Sequence, residues 1–338
     1  MTMNTRRASS GFSLIELMIA LAIGLVVLTV LATVFARTSS GRGDLERVSR
    51  LVENSRFAAD IIGDDVRHAG FYGTFMPPSD ALFNDPSPCG WNTADVTQLG
   101  WQPTSSPPRF PAQLQGFDDP DATLTQLNCL PDRVAGTDVL VIRRASSRPV
   151  LPAQVTATSI YVQASQCIND PVLLRVANTS AQFTLRSAAC DVANLAAIRR
   201  YFVRVYYVAS CNECAPSDGI RTLKRMEVVD NVYRVVSLAE GVENLQFEYA
   251  FDTNDDGSPD ELRTDISGVG ATASWANVVS VRMHLLMRST EPGLSADTTP
   301  TLFDLGPGHG GVACPDRFKC RLLTTTFRLN NIAGRRET

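Results

Sequence analysis

From Phe12 to Ala36 the chain carries a single charge, the carboxylate of Glu16, in a run otherwise built from Leu, Ile, Val, Ala and a few small residues. Wound as a helix at ~1.5 Å per residue, such a run reaches across a hydrocarbon layer of roughly 30 Å. It is too long for the apolar core of a secretory signal, and Ala32 to Ala36 is a poor cleavage site, so a transmembrane helix over 12–36 is expected. Arg6 and Arg7 precede the run, which by the positive-inside rule keeps the N-terminus cytoplasmic and sends the rest of the chain out. A carboxylate in a span costs up to ~2.5–3.5 kcal/mol at the helix centre and less near its end. Two readings of Glu16 stay open: it reaches the headgroups and does nothing further, or it has a partner. A cut between Gly11 and Phe12 would supply one, because the new amine would lie one helical turn from Glu16 and could pair with the carboxylate of another subunit.

The chain of 338 residues, 44% hydrophobic and 20% charged, has room for one large core or two ordinary ones and is not disordered. Its formal charge is −4, and loss of Arg6 and Arg7 would give −4 − 2 = −6, so bulk attraction to nucleic acid is not expected. All eight cysteines (Cys89, Cys129, Cys167, Cys190, Cys211, Cys214, Cys314, Cys320) follow the apolar run. An even number on one side of a membrane anchor favours disulfides in an oxidising compartment. The least entangled pairing joins them in sequential order.

After the span, Leu45, Val48, Val52, Ile62 and Val66 recur at helical spacing, predicting an amphipathic helix within 37–75, with Asp44 as a cap and Gly70 near its end. The segment 76–137, dense in Pro, Ser, Asp and Gly, reads as a surface insertion stapled by Cys89 and Cys129, with a partner-contact surface as the other reading. Strands are expected from Asp138, Arg200, Thr222, Val242, Asn277 and Leu322. In VENLQFEYAF, Leu245, Phe247, Tyr249 and Phe251 alternate with Asn244, Gln246, Glu248 and Ala250, so one buried face is expected. With no helices of comparable length between the strands, an antiparallel sheet follows and a doubly wound enzyme fold does not.

The stretch GFSLIEL, behind a short basic leader and ahead of an unbroken apolar helix, resembles the class III signal of type IV pilins and type II secretion pseudopilins. The runs EGVENLQFEYAFDTNDDG, WANVVSVRMHLLMRS and TTTFRLNN are similar to the PilW group of minor pilins, related to the J-type pseudopilins. The resemblance implies an α+β, pilin-like fold: a leader over 1–11, a long helix over 12–75, and an exported β-rich domain over 76–338. It implies cleavage after Gly11 by prepilin peptidase, N-methylation of Phe12, and docking through Phe12 and Glu16. Implied partners are other minor pilins, the major pilin, the pilus assembly platform and a large tip adhesin, reached from inner-membrane lipid and then within the extracellular pilus. The implied role is a non-enzymatic one in the priming and tip complex that serves fimbrial biogenesis, and with it twitching, attachment or DNA uptake. A J-like secretion pseudopilin and a membrane-anchored periplasmic enzyme or binding module are the alternatives. Unlike many major pilins, the chain has no proline before Pro77, so local softening is expected at Gly24 or Ser39 to Gly43.

Other motifs carry less. Asp252, Asn254 and Asp256 alternate ahead of Gly257, with Asp260 available to close a shell. This fits the start of a calcium loop, yet Arg263 stands where a bidentate Glu belongs, and an acidic hairpin turn uses the same residues. No required cofactor is expected, and calcium is the metal that this loop would hold. Cys211 and Cys214 lack a second well-spaced pair with histidine, which favours a disulfide over zinc. GPGHGG lacks the strand and helix of a dinucleotide site. Arg199, Arg200 and Arg204 fit an ordinary exposed strand face as well as a nucleic-acid surface, and the acidic balance of the chain gives the second reading little support.

Overall fold

The computed structural model describes residues 13–78, 80–120, 124–266, 274–293 and 301–336. Its elements run α1 (Leu14–His68), β1 (Leu82–Asn84), β2 (Arg109–Pro111), β3 (Leu114–Phe117), β4 (Val139–Val150), β5 (Tyr161–Ala164), β6 (Leu174–Ala177), β7 (Ile198–Ala209), β8 (Thr222–Val229), β9 (Val232–Glu240), β10 (Val242–Phe251), β11 (Glu261–Arg263), β12 (Val278–Arg288), β13 (Leu302–Phe303), β14 (Val312–Ala313), β15 (Cys320–Arg328) and α2 (Asn330–Arg336). Two compact units divide the chain, residues 1–49 and residues 50–338. The class is α+β, a long N-terminal helix followed by antiparallel sheets with four disulfides.

Helix α1 passes through Gly24, Gly41 and Gly43 without interruption, so neither expected soft point breaks it. Because it does not restart at Asp44, no N-cap is needed there. It ends at His68, beside the Gly70 expected to stop it and within the outer bound of 75. Gly70 takes the left-handed conformation (φ 72°) that a side chain resists, and its N–H donates to the Arg143 carbonyl on β4. From α2, the Asn331 amide donates to the carbonyls of Arg67 and Ala69, satisfying the end of the longer helix.

In the second unit the buried stripe of α1 is Leu51, Ser55, Ala58, Ile62 and Val66, continued by Ala69 just past its end, steps of three and four that keep one face inward. Leu45 and Val48, expected on such a stripe, are instead exposed, and small residues do more of the packing than the large ones predicted. Gly63 shows why: a Cβ there would stand 2.4 Å from Phe327 of β15, so only glycine lets that ring lie on the helix.

The larger sheet runs β3-β4-β7 and onward through β5 to β6, while β8 and then β9 continue from the C-terminal half of β7. The smaller sheet has the order β11-β10-β12-β15, antiparallel throughout. Alternation along β4 and β7 sends Leu140, Ile142, Tyr206 and Val208 into the core shared with α1 and the smaller sheet. Val139, Val141, Val205 and Tyr207 point the other way, into a second core.

That second core corrects the reading of 76–137 as a surface insertion. Leu99, Trp101, Phe110 and Leu127 are buried against the outer face of the larger sheet. Arg143, itself buried, reaches from β4 to the carbonyls of Pro86 and Ala112 and the Gln115 side chain, so the irregular backbone finds its hydrogen bonds inside. Arg143 thus ties these loops to the sheet by hydrogen bonds in addition to apolar contact. A second correction concerns β10: Gln246, Glu248 and Ala250 are buried as well as Leu245 and Phe247. Both faces are covered because residues near 119, 136 and 306 lie over the polar one.

Candidate functional site

In the first unit, Leu14–Phe35 is a 22-residue helical stretch of mean hydropathy 2.8 with none of it buried, long and apolar enough to cross a membrane. The hydroxyls of Thr29, Thr33 and Thr38 donate to the carbonyls of Leu25, Val30 and Val34. The Thr29 and Thr33 hydroxyls within the stretch, and Thr38 just beyond it, are thereby satisfied by the helix itself, as a lipid environment demands. Gly11 and Phe12 lie outside the described residues.

Glu16 is exposed, and its Oε2 accepts from the Ser13 N–H at 3.1 Å. Ser13 precedes the first helical residue and Glu16 is the third within it, so the carboxylate reaches back to an amide that the first turn leaves without a partner. Sequence reasoning missed this local role, although the spelling Ser-x-x-Glu before an apolar run is its signature.

In the second unit, Asp65 is the buried polar residue that fixes α1 to the larger sheet. Its carboxylate accepts from Arg144 at 2.9 Å, from Arg204 at 2.7 Å and 3.0 Å, and from the Tyr206 hydroxyl. Burial alone would raise the acid, but the Arg204 charge, the Tyr206 hydroxyl and Arg144 outweigh it and hold the carboxyl below its ordinary value. This corrects the reading of the basic strand face. Arg204 is engaged by Asp65 and Glu227, and Arg199 donates to the carbonyls of Ser146 and Ser147 while lying over Phe71.

The acidic hairpin places Asp252, Asn254, Asp256 and Asp260 in one turn with largely local partners. Asp252 is buried and accepts from the Gly257 N–H and the Arg336 guanidinium; Asp260 accepts from the Thr253 amide and hydroxyl; Asn254 accepts from the Asp256 N–H. Burial would raise Asp252, but the Gly257 amide and Arg336 hold it below its ordinary value. Arg336, from the last helix, thus brings a positive charge to the point where an ion would sit. The cysteines pair as Cys89–Cys129, Cys167–Cys190, Cys211–Cys214 and Cys314–Cys320, and none among the eight is free.

Comparison with known families finds two matches. Residues 6–32 match the prokaryotic N-terminal methylation motif, and residues 205–331 match the type IV pilus-assembly protein W family, PilW. No curated protein and no solved structure matches the chain significantly. The first match covers the Ser13–Glu16 turn and most of the apolar helix, and the second covers the C-terminal end of β7 and all of β8 to β15. A methylation motif at one end and, at the other, a region similar to the type IV pilus-assembly protein W family together support a PilW-type minor pilin.

Proposed function

We propose that the chain is cleaved between Gly11 and Phe12 by a prepilin peptidase, methylated at the new amine, held in the inner membrane with its β-rich part outside, and then drawn into a priming and tip complex of a type IV pilus. The observation that carries this reading is an apolar helix, Leu14–Phe35, none of it buried among the described residues, with one carboxylate at its head. Lipid supplies the missing contacts first, and the helices of other minor pilins and the major pilin supply them after assembly. The function is non-covalent: Glu16 sets the register by pairing with an amine of a neighbouring subunit, and the folded part offers its surface to partners. This places the chain in fimbrial biogenesis, upstream of twitching, attachment or DNA uptake.

The hydrogen bond from Ser13 to Glu16 bears on the docking step. It gives the carboxylate a fixed position one turn from the processed end, so a partner amine meets a placed charge instead of a mobile one. Comparing sheared filaments with membranes from cells carrying Glu16→Leu tests this. The expected result is undiminished membrane protein with at least a tenfold loss from filaments; equal incorporation would contradict the docking role.

A further inference from the structure

The GPGHGG stretch, which fits no dinucleotide site, presents an imidazole to two carboxylates. His309 Nε2 lies 3.5 Å from Asp119 Oδ2 and 3.8 Å from Asp118 Oδ1, and the three donor atoms fall within 4.8 Å of one another. Donors bound at ~2.0–2.2 Å to a tetrahedral ion are separated by roughly 3.3–3.6 Å, close to these distances. Asp118 and Asp119 follow β3 of the larger sheet, and His309 sits between β13 and β14, so residues far apart in sequence meet here.

The surroundings lack the groups that would neutralise such a pair. Among the described residues, neither carboxylate meets a lysine or arginine, and Asp118 Oδ1 is buried with no hydrogen-bond partner. Gln246, which is 2% exposed, donates from Nε2 to Asp119 Oδ1, to the Gly136 carbonyl and to Asn244, while its Oε1 has no partner. Tyr249, fully buried, holds an unpartnered hydroxyl against Gly116, two residues before Asp118. A carboxylate oxygen without a donor and two buried polar groups without partners cost free energy that a bound cation and its water would offset.

We propose that Asp118, Asp119 and His309 form a binding site for a divalent transition-metal ion, with Zn²⁺ the best fit. Two carboxylates with one imidazole suit Zn²⁺, whereas calcium prefers an all-oxygen shell. The turn is shaped for presentation: Gly306, Gly308 and Gly311 take positive φ, and the His309 N–H donates to the Gly306 carbonyl. A bound ion would clamp the 301–313 segment to the end of β3.

The test uses the full, untagged chain in detergent, stripped with chelator and dialysed against Zn²⁺. One ion per chain is expected, with binding at least tenfold weaker in His309→Ala and in Asp119→Asn, and unchanged in His68→Ala. Absence of stoichiometric uptake, or uptake that survives His309→Ala and Asp119→Asn, would overturn the site. Co²⁺ added to the unmutated protein gives a readout that does not depend on variants folding: an intense tetrahedral visible band supports the site, and only the faint octahedral spectrum contradicts it.

Discussion

Two stretches of the same helix, Leu14–Phe35 and Leu51–Ala69, spend their apolar surface differently. The first is rich in Leu, Ile and Val and leaves them exposed, Leu25 at 69%; the second buries Ile62 at 0% and uses Ala58, Ala59, Gly63 and Ala69 to bring a sheet close. At ~25 cal/mol per Å² the exposed stretch holds a large unrealised gain, which only lipid or other helices can supply. Length and mean hydropathy therefore mark a stretch able to cross a membrane, and the size of the side chains separates it from a stretch that packs on its own domain.

The largest effect on that contrast is expected at Asp65. Asp65→Ala leaves the buried Tyr206 hydroxyl without its acceptor and the half-buried Arg204 with Glu227 alone, and should cost about 3–5 kcal/mol in urea unfolding of the detergent-solubilised chain. The same carboxylate predicts an acid limit. Its folded pKa lies below the ordinary 3.8, so its contribution is complete above that value and is lost as pH falls below it, which unfolding midpoints between pH 6 and pH 3 would register.

Trp101→Ala should cost about 3–5 kcal/mol because the ring is a core residue; a change near zero would restore the surface-insertion reading. Replacing both cysteines of the Cys89–Cys129 pair, separated by 40 residues, should cost about 4 kcal/mol by loop entropy, against about 2 kcal/mol for Cys314–Cys320, separated by 6. Equal costs would mean that loop length is not what these bonds contribute.

At the small end, the comparison is sharpened by a matched pair of truncations. Ile62→Ala should cost about 2–5 kcal/mol, while Leu25→Ala should move the same unfolding curve by less than about 0.5 kcal/mol. Comparable losses at both positions would erase the distinction between the two stretches.

Much of this was legible because the signals are local. The apolar run and the six expected strands follow from neighbours in sequence, and so does the Ser13–Glu16 turn, whose Ser-x-x-Glu spelling went unread. The insertion was misread because Pro, Ser and Gly density marks irregular backbone, not exposure, and Trp101 is buried by residues of β4 and β7 that lie far along the chain. Strand β9 escaped notice because Val232, Tyr233 and Val236 face outward on an outer strand that pairs with β8 alone, so no clean alternation forms. Buried Gln246 and Glu248 hid the second covered face of β10, since a polar residue inside depends on partners such as His284, 2.9 Å from Glu248. The meeting of His309 with Asp118 and Asp119 is likewise a product of topology, and the glycines around the histidine were its one local sign.

The central claim is that the exposed helix belongs to a processed pilin, and the N-terminal peptide tests it most directly. Mass spectrometry of the native membrane protein, with and without active prepilin peptidase, should find a peptide that begins at N-methylated Phe12 and disappears when the peptidase is absent. An intact Met1, or a start near Ala36, would contradict the account.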